Sequence, residues 1–63
     1  MFAVGDRVLI VRINYPGVNP ARDAFVGRTG TVRSIIKSRG KIQVFVPELG
    51  MWEADAANLQ KVQ

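Results

Sequence analysis

The chain has 63 residues, a length that suits one small domain and leaves little volume for an enclosed active site beside a core. It contains no cysteine and no histidine, which excludes disulfides, thiolate or imidazole metal sites and the commonest general base. Nine Lys and Arg residues against five Asp and Glu give a net charge of +4. This charge favours anionic partners such as nucleic acid or an acidic protein surface, although solubility is an equally good reason for it.

The sequence gives no sign of a membrane segment. The longest apolar run, residues 8–11, is far too short to span a bilayer. Residues 1–6 lack the basic segment and the hydrophobic run that mark a signal peptide. We therefore expect a cytoplasmic protein with no membrane partner.

The first predicted strand covers residues 7–13, which are rich in β-branched side chains. Val8 and Ile10 would face one side of this strand, and Leu9 and Val11 would face the other. Because both faces are apolar, the strand is expected to be covered on both sides or to use one face for a partner. A second copy of the chain would be one such partner, although we favour a monomer.

A long loop is predicted after the first strand. The dipeptides at 16–17 (Pro-Gly) and 19–20 (Asn-Pro) break regular structure, and residues 20–24 favour a short helical turn. Loops of this length are uncommon in small domains and are often functional. The alternative is a loop packed by its own aromatic side chains, Tyr15 and Phe25.

The rest of the chain predicts four more short strands. They cover residues 29–37, 41–46, 51–54 and 60–62, with a tight turn at 38–40, another at 47–50 and a 3₁₀ turn at 56–59. Alternation is cleanest in the third strand, where Ile42, Val44 and Val46 face one side and the residues between them face the other. The element order therefore predicts an all-β fold in which closure of the sheet encloses a small core.

One glycine lies just before the second predicted strand, and another lies near its start. Gly27 is expected at a turn position with positive φ. Gly30 lies early in the strand, where a missing side chain permits a bulge or the close approach of another strand. Val32 and Ile35 share a face only if a bulge shifts the register. A phosphate-binding loop is not expected, because neither the required lysine with Ser or Thr nor a following helix is found in the pattern.

The chain resembles the SH3-like barrel family. The element order and the 3₁₀ turn before the last strand are similar to that family, and residues 27–35 resemble the KOW signature of spaced glycines followed by valine and isoleucine. Residues 5–10 resemble the strand that precedes this signature. The resemblance implies one domain, residues 1–63, folded as a small five-stranded SH3-like barrel with a long loop between strands 1 and 2. It also implies binding of RNA, DNA or protein.

The long loop is similar to that of a second group of SH3-like barrels. KOW modules usually join the first strand to the glycines through a short connection. A longer connection is typical of the photosystem I accessory subunit and of the small barrels attached to ferredoxin-thioredoxin reductase. Residues 8–12 and 26–32 resemble that group as well. This likeness favours an accessory or regulatory role.

A run of basic residues marks the predicted hairpin of strands two and three. No acid occurs between Asp23 and Glu48, whereas five cations lie in that interval. A cluster of this kind suits phosphate binding, because each neutralised phosphate releases counterions. Phe45 would face outward on the same hairpin, where it is able to stack a base. The predicted nucleic-acid-binding residues are Arg28, Arg33, Lys37, Arg39, Lys41 and Phe45. The alternative is a solvated hairpin with Phe45 covered by the long loop.

A second candidate surface involves Trp52 and the long loop. Trp52, the single tryptophan, is large and amphipathic and would serve a protein interface, although a core position is the alternative. The family resemblance implies that Tyr15 and Arg22 border the usual ligand groove. Tyr15, Arg22 and Trp52 are therefore the predicted partner-binding residues.

Catalysis has no support in the sequence. Glu53 and Asp55 lie two apart and share a face, but nothing near them indicates a pocket or a metal. Ser34 and Ser38 lack a histidine partner. We therefore expect no catalytic residue, cofactor or metal. The predicted function is a non-catalytic binding module that contacts RNA or DNA through its basic hairpin. The alternative is a protein–protein interaction module that acts as a small regulator or accessory subunit.

Overall fold

The computed structural model describes residues 1–13 and 19–62. Its elements are β1 (Arg7–Ile10), α1 (Pro20–Asp23), β2 (Thr29–Ile36), β3 (Lys41–Val46), β4 (Gly50–Ala54), a 3₁₀ turn (Ala56–Asn58) and β5 (Leu59–Lys61). In the described residues, all neighbouring strands pair antiparallel within one sheet of order β4-β3-β2-β1-β5. The predicted all-β class is confirmed, whereas closure into an SH3-like barrel stays a prediction. No helix in the described part of the chain has the length or the apolar character needed to cross a membrane.

Strand bounds follow the predicted pattern most closely in β3, where both ends are confirmed. The predicted first strand was too long, because β1 ends at Ile10. Ile10 pairs with Leu59, the first residue of β5, so the ladder has no further strand partner beyond it. The next residue, Val11, donates its backbone N–H to the carbonyl of Asn58 in the 3₁₀ turn at 2.8 Å. The predicted helical turn in the long loop is confirmed by α1.

The core lies on one face of the sheet. Val8 and Ile10 on β1 are fully buried, as are Val32 on β2 and Val44 on β3. Burying a valine or isoleucine side chain contributes about 1.5–3 kcal/mol, so these few residues supply much of the folding energy. The buried hydrophobic residues are Val8, Ile10, Phe25, Val32, Ile42, Val44, Val46, Ala54 and Leu59. The faces predicted for the first and third strands are therefore confirmed.

A β-bulge at Arg33 keeps both halves of β2 on the core. Val32 pairs with Val44, but Ser34 pairs with Gln43, so Arg33 is the extra residue between them. The shift places Ile35 opposite Ile42, on the core side. Val32 and Ile35 therefore share a face despite being three apart, which is the outcome that the sequence makes conditional on a bulge.

Gly30 lies where two strands approach closely. A Cβ atom at this position would be 2.6 Å from the Phe45 carbonyl oxygen and 2.6 Å from a Val44 methyl group. Gly27 has a φ of 88°, in the left-handed region that glycine reaches without strain. The structure therefore confirms the close approach predicted at Gly30 and the positive φ predicted at Gly27.

A turn before β1 is closed by Asp6. The backbone N–H of Ala3 donates to Oδ2 of Asp6 at 2.9 Å, and Nζ of Lys61 lies 3.3 Å from the same oxygen. The hydrogen bond from Ala3 is the main reason that the pKa of Asp6 lies below its ordinary value, and Lys61 lowers it further against an opposing effect of desolvation. Asp6 thus joins the N-terminal turn to the last strand.

We expect the stability contributed by Asp6 to be lost in acid. Its folded-state pKa lies below the ordinary 3.8, so its contribution is complete above that value and disappears as the pH falls through the lowered pKa. Urea unfolding at pH values from about 2.5 to about 6 measures this dependence. Asp6→Asn should lose less stability than the unmodified chain on acidification. Parallel stability curves for the two proteins would contradict the assignment.

Candidate nucleic-acid interface

The β2–β3 hairpin carries most of the predicted cationic residues. Its turn is closed by backbone hydrogen bonds from Arg39 to Ile36 at 3.2 Å and from Gly40 to Lys37 at 3.3 Å. Gly40 has a φ of 65°, which fits its place at the end of the turn. Lys37 and Arg39 therefore project from the tip, where both are exposed. Arg28 instead precedes β2, at the opposite end of that strand from the tip.

Acidic residues from outside the hairpin pair with three of the five predicted cations. The distances are 2.6 Å from Arg39 Nη2 to Glu53 Oε2, 2.7 Å from Lys41 Nζ to Asp55 Oδ1 and 3.9 Å from Arg28 Nη1 to Glu48 Oε1. The β3–β4 register explains the two short pairs, because Gln43 lies opposite Glu53. The cluster is therefore less cationic in space than the interval between Asp23 and Glu48 indicates.

Arg33 and Phe45 form a stacked pair on the outer face of the sheet, the face opposite the core. The guanidinium carbon of Arg33 lies 4.7 Å from the centre of the Phe45 ring. Among the described residues, no carboxylate oxygen lies within ion-pair distance of Arg33. The contact is a cation–π interaction, in which the planar cation extends the aromatic surface. Phe45 is thus partly buried under an arginine side chain.

Strand pairing places further residues beside this stack. Phe45 is opposite Met51 on one side and Thr31 on the other, and Thr31 is opposite Arg7. Met51 is 49% exposed, and Arg7 is exposed with one hydrogen bond from Nη2 to Thr29 Oγ1 at 3.3 Å. We call the five residues of this surface the outer-face patch. They are Arg7, Thr31, Arg33, Phe45 and Met51.

The sequence interpretation missed Arg7, Thr31 and Met51. Alternation in the first strand places Val8 and Ile10 in the core and so directs Arg7 outward. Alternation does not show which residues lie opposite Arg7, because the long loop separates β1 from β2 in the sequence. The patch therefore depends on strand pairing that local patterns do not reveal.

The two described residues that are predicted to bind a partner, Trp52 and Arg22, lie on β4 and α1 respectively. Trp52 is opposite Val44 on the core side, and its ring stacks on that of Phe25, with centroids 5.7 Å apart and planes at 20°. It packs against the core but keeps partial exposure, and its role at a protein interface stays a prediction. Arg22 lies on α1 and is partly buried. Tyr15 lies outside the described residues.

Four of the five acidic side chains form ion pairs in the described structure, and the exception is Asp23 on α1. Glu53 and Asp55, which share a face, bind Arg39 and Lys41 respectively. Over residues 1–13 and 19–62, no three acidic side chains are close enough to hold a metal ion. The groups that this surface presents to a ligand are therefore cationic and aromatic.

Comparisons with known proteins give no match. No protein-family model matches the chain, and neither curated proteins nor solved structures include a significant relative. The functional argument therefore depends on the chain's own residues and their geometry.

Proposed function

We propose that this protein is a non-catalytic module that binds nucleic acid through the outer-face patch and the adjoining β2–β3 hairpin. The observation that carries the proposal is the stacking of Arg33 on Phe45 without a carboxylate partner among the described residues. An arginine that a carboxylate neutralises has little charge to offer a phosphate. Arg33 keeps its charge and presents its planar group on an outer sheet face.

Stacking is the first part of the argument. Unpaired bases stack on aromatic rings and on arginine planes, and this contact is tolerant of sequence because every base has a π-face. Phe45 and Arg33 together provide such a surface, and Met51 extends it with an exposed apolar side chain. Bases in a duplex are already stacked on one another. The patch therefore favours single strands over duplexes.

Charge is the second part of the argument. Four of the five acids are used in ion pairs, with Arg28, Arg39, Lys41 and Lys61 as their partners. Arg7 and Arg33 in the patch have no carboxylate within ion-pair distance in the described structure, and neither does Lys37 at the hairpin tip. These three cations remain available for phosphates, which makes them the core of the predicted electrostatic contact.

Fluorescence anisotropy tests the proposal directly. Labelled single- and double-stranded oligonucleotides of DNA and RNA are titrated with the protein at low and at moderate salt. We expect micromolar or tighter binding to single strands, and a logarithmic salt slope of about −0.7 for each contacted phosphate. Two or three contacts should therefore give a slope between about −1.4 and −2.1. No binding to any of these oligonucleotides at low salt would overturn the proposal.

Neutralising Glu53 should strengthen the binding. Glu53→Gln removes the carboxylate that holds Arg39, so one more cation at the hairpin becomes available to a phosphate. One added contact raises the affinity by up to about tenfold at about 50 mM salt. Asp23→Asn is the matched control, because it changes the net charge equally but lies on α1. Equal gains from both variants would show that only net charge matters.

A second candidate function is a protein–protein interaction module. The partly exposed Trp52, stacked on Phe25 at the end of the long loop, is the observation that favours it. Tryptophan is enriched among the residues that carry the binding energy of interfaces. Recovery of a specific protein partner from a lysate by the unmodified chain, but not by Trp52→Phe, would favour this function if oligonucleotides do not bind.

A further inference from the structure

An open groove of about 380 Å³ lies at the hairpin end of the core. The apolar walls are supplied by Met1, Phe2, Ile35, Ile42 and Ala56, and the two charged side chains that line the groove are those of Lys37 and Lys41. The groove thus combines the end of the hairpin with the N-terminal segment and the 3₁₀ turn.

The bulge and two small residues explain why the groove exists. The register shift at Arg33 directs Ile35 to the core side, opposite Ile42, near the end of both strands. Facing side chains at this end are small or absent, since Ala56 has only a methyl group and Gly40 has no side chain. Phe2 packs against the core from one side without filling the space. An apolar hollow therefore stays open to solvent.

The unbalanced charge beside these walls is positive. Lys41 Nζ is held by Asp55 at 2.7 Å, so this lysine is largely neutralised. Lys37 is exposed, and no carboxylate of the described residues lies within ion-pair distance of it. The complementary ligand has an apolar body and one anionic head, because its body covers the walls while its head pairs with Lys37.

The volume sets the size of that ligand. At about 30 Å³ each, about a dozen water molecules would fill 380 Å³, and the apolar walls offer them few hydrogen bonds. A pocket of this volume lies at the lower end of the range for small-molecule sites. Displacing such water with a short hydrocarbon chain is favourable. Larger lipids and folded proteins would leave most of their surface outside the groove.

We infer that the groove binds a small free amphipathic carboxylate, of the class of a medium-chain fatty acid, with its chain on Ile35 and Ile42 and its carboxylate on Lys37. The apolar walls of this site are separate from the outer-face patch, which lies on the other face of the sheet, whereas Lys37 is shared with the proposed phosphate contact. The groove therefore gives the protein a second ligand class besides the proposed nucleic acid.

Octanoate titrated into the isotopically labelled protein and followed by NMR tests the inference. We expect saturable shifts of the Ile35 and Ile42 methyl signals, about tenfold weaker binding to Lys37→Gln, and little binding of octanol, which has the same chain without the charge. Arg12→Gln is the control, because it removes an exposed cation that does not line the groove. Equal affinity for octanol, or equal losses in the two variants, would overturn the inference.

Filling the groove provides a variant whose effect does not depend on charge. Ala56→Leu places a larger side chain in the groove, whereas Ala57→Leu adds the same bulk at the neighbouring exposed alanine of the 3₁₀ turn, which does not line the groove. We expect Ala56→Leu alone to abolish octanoate binding while both variants stay folded. Octanoate binding that is retained in Ala56→Leu would contradict the proposed site. Binding of a leucine-ended peptide in the groove, without binding of octanoate, would also contradict the proposal. Arg7→Gln with Arg33→Gln should leave octanoate affinity unchanged, which separates this result from the nucleic-acid test.

Discussion

Replacing both Arg7 and Arg33 with glutamine is expected to weaken single-strand binding on the order of 50-fold at about 50 mM salt. Each cation that contacts a phosphate adds about 0.7 to the magnitude of the salt slope, so the double variant should lower that magnitude by about 1.4. The reason is that neither arginine is neutralised by a carboxylate among the described residues. Anisotropy titrations at several salt concentrations measure both quantities.

Two comparisons separate the patch from net charge. Arg12→Gln with Lys61→Gln removes two cations elsewhere, and Lys61 is opposite the core residue Val8 rather than on the outer face. This control should retain most of the affinity. A loss as large as that of the patch variant would show that binding follows total charge and would contradict the assignment of the patch.

Stacking and charge are expected to be separable at Phe45. Phe45→Leu keeps an apolar side chain but removes the ring on which Arg33 lies. Loss of a base stack costs about 1–3 kcal/mol, or about 5- to 150-fold in affinity, and the salt slope should stay unchanged. A changed slope without a loss of affinity at low salt would show that Phe45 acts by positioning Arg33 rather than by stacking a base.

Gly30→Ala is expected to destabilise the fold by about 3 kcal/mol or more. The added Cβ would meet the Phe45 carbonyl oxygen and a Val44 methyl group at 2.6 Å each. Neither neighbour moves easily, because one is backbone and Val44 is fully buried. A domain of this length has a total stability of only about 3–9 kcal/mol, so the variant should lose between about a third and all of its stability. Urea unfolding followed by the fluorescence of Trp52 measures the loss.

A second glycine supplies the control for this effect. Gly40 has a positive φ of 65°, but a Cβ atom added there would have open space around it, so Gly40→Asn meets no clash. Asparagine tolerates the left-handed region better than other side chains do, and we expect a loss below about 1 kcal/mol. Similar losses in the two variants would mean that the close strand approach at Gly30 is not what restricts that position.

The fold was predictable where local patterns decide it. Strict alternation predicts the two faces of β3, because core residues alternate there with outward-facing ones. In β2, the spacing of Val32 and Ile35 requires a bulge if both side chains are buried. The end of the first strand was not predictable in the same way. Its apolar pattern continues to Ile13, but pairing stops at Ile10 because β5 begins at Leu59.

The candidate site was harder to predict, for two different reasons. The ion pairs of Arg39 and Lys41 were predictable from the sequence. Residues equidistant from the turn at 47–49 pair across it, so Gln43 faces Glu53. The place of Arg7 in the site was not predictable, because the long loop separates β1 from β2 and tertiary packing sets the register of those strands. Sequence therefore indicates the cations, and the sheet decides which of them are neutralised.

The bulge also bears on how the length of this chain is able to vary. Removing Arg33 alone would let Ser34 follow Val32 directly, and Ser34 would still face Gln43. Removing Ser34 instead would place Arg33 opposite Gln43 and would also leave Ile35 opposite Ile42. Loss of either residue therefore leaves the core intact, at the expense of the strand's bend. In the first case the guanidinium proposed to bind phosphate is lost, and in the second it moves to the position of Ser34 beside Gln43.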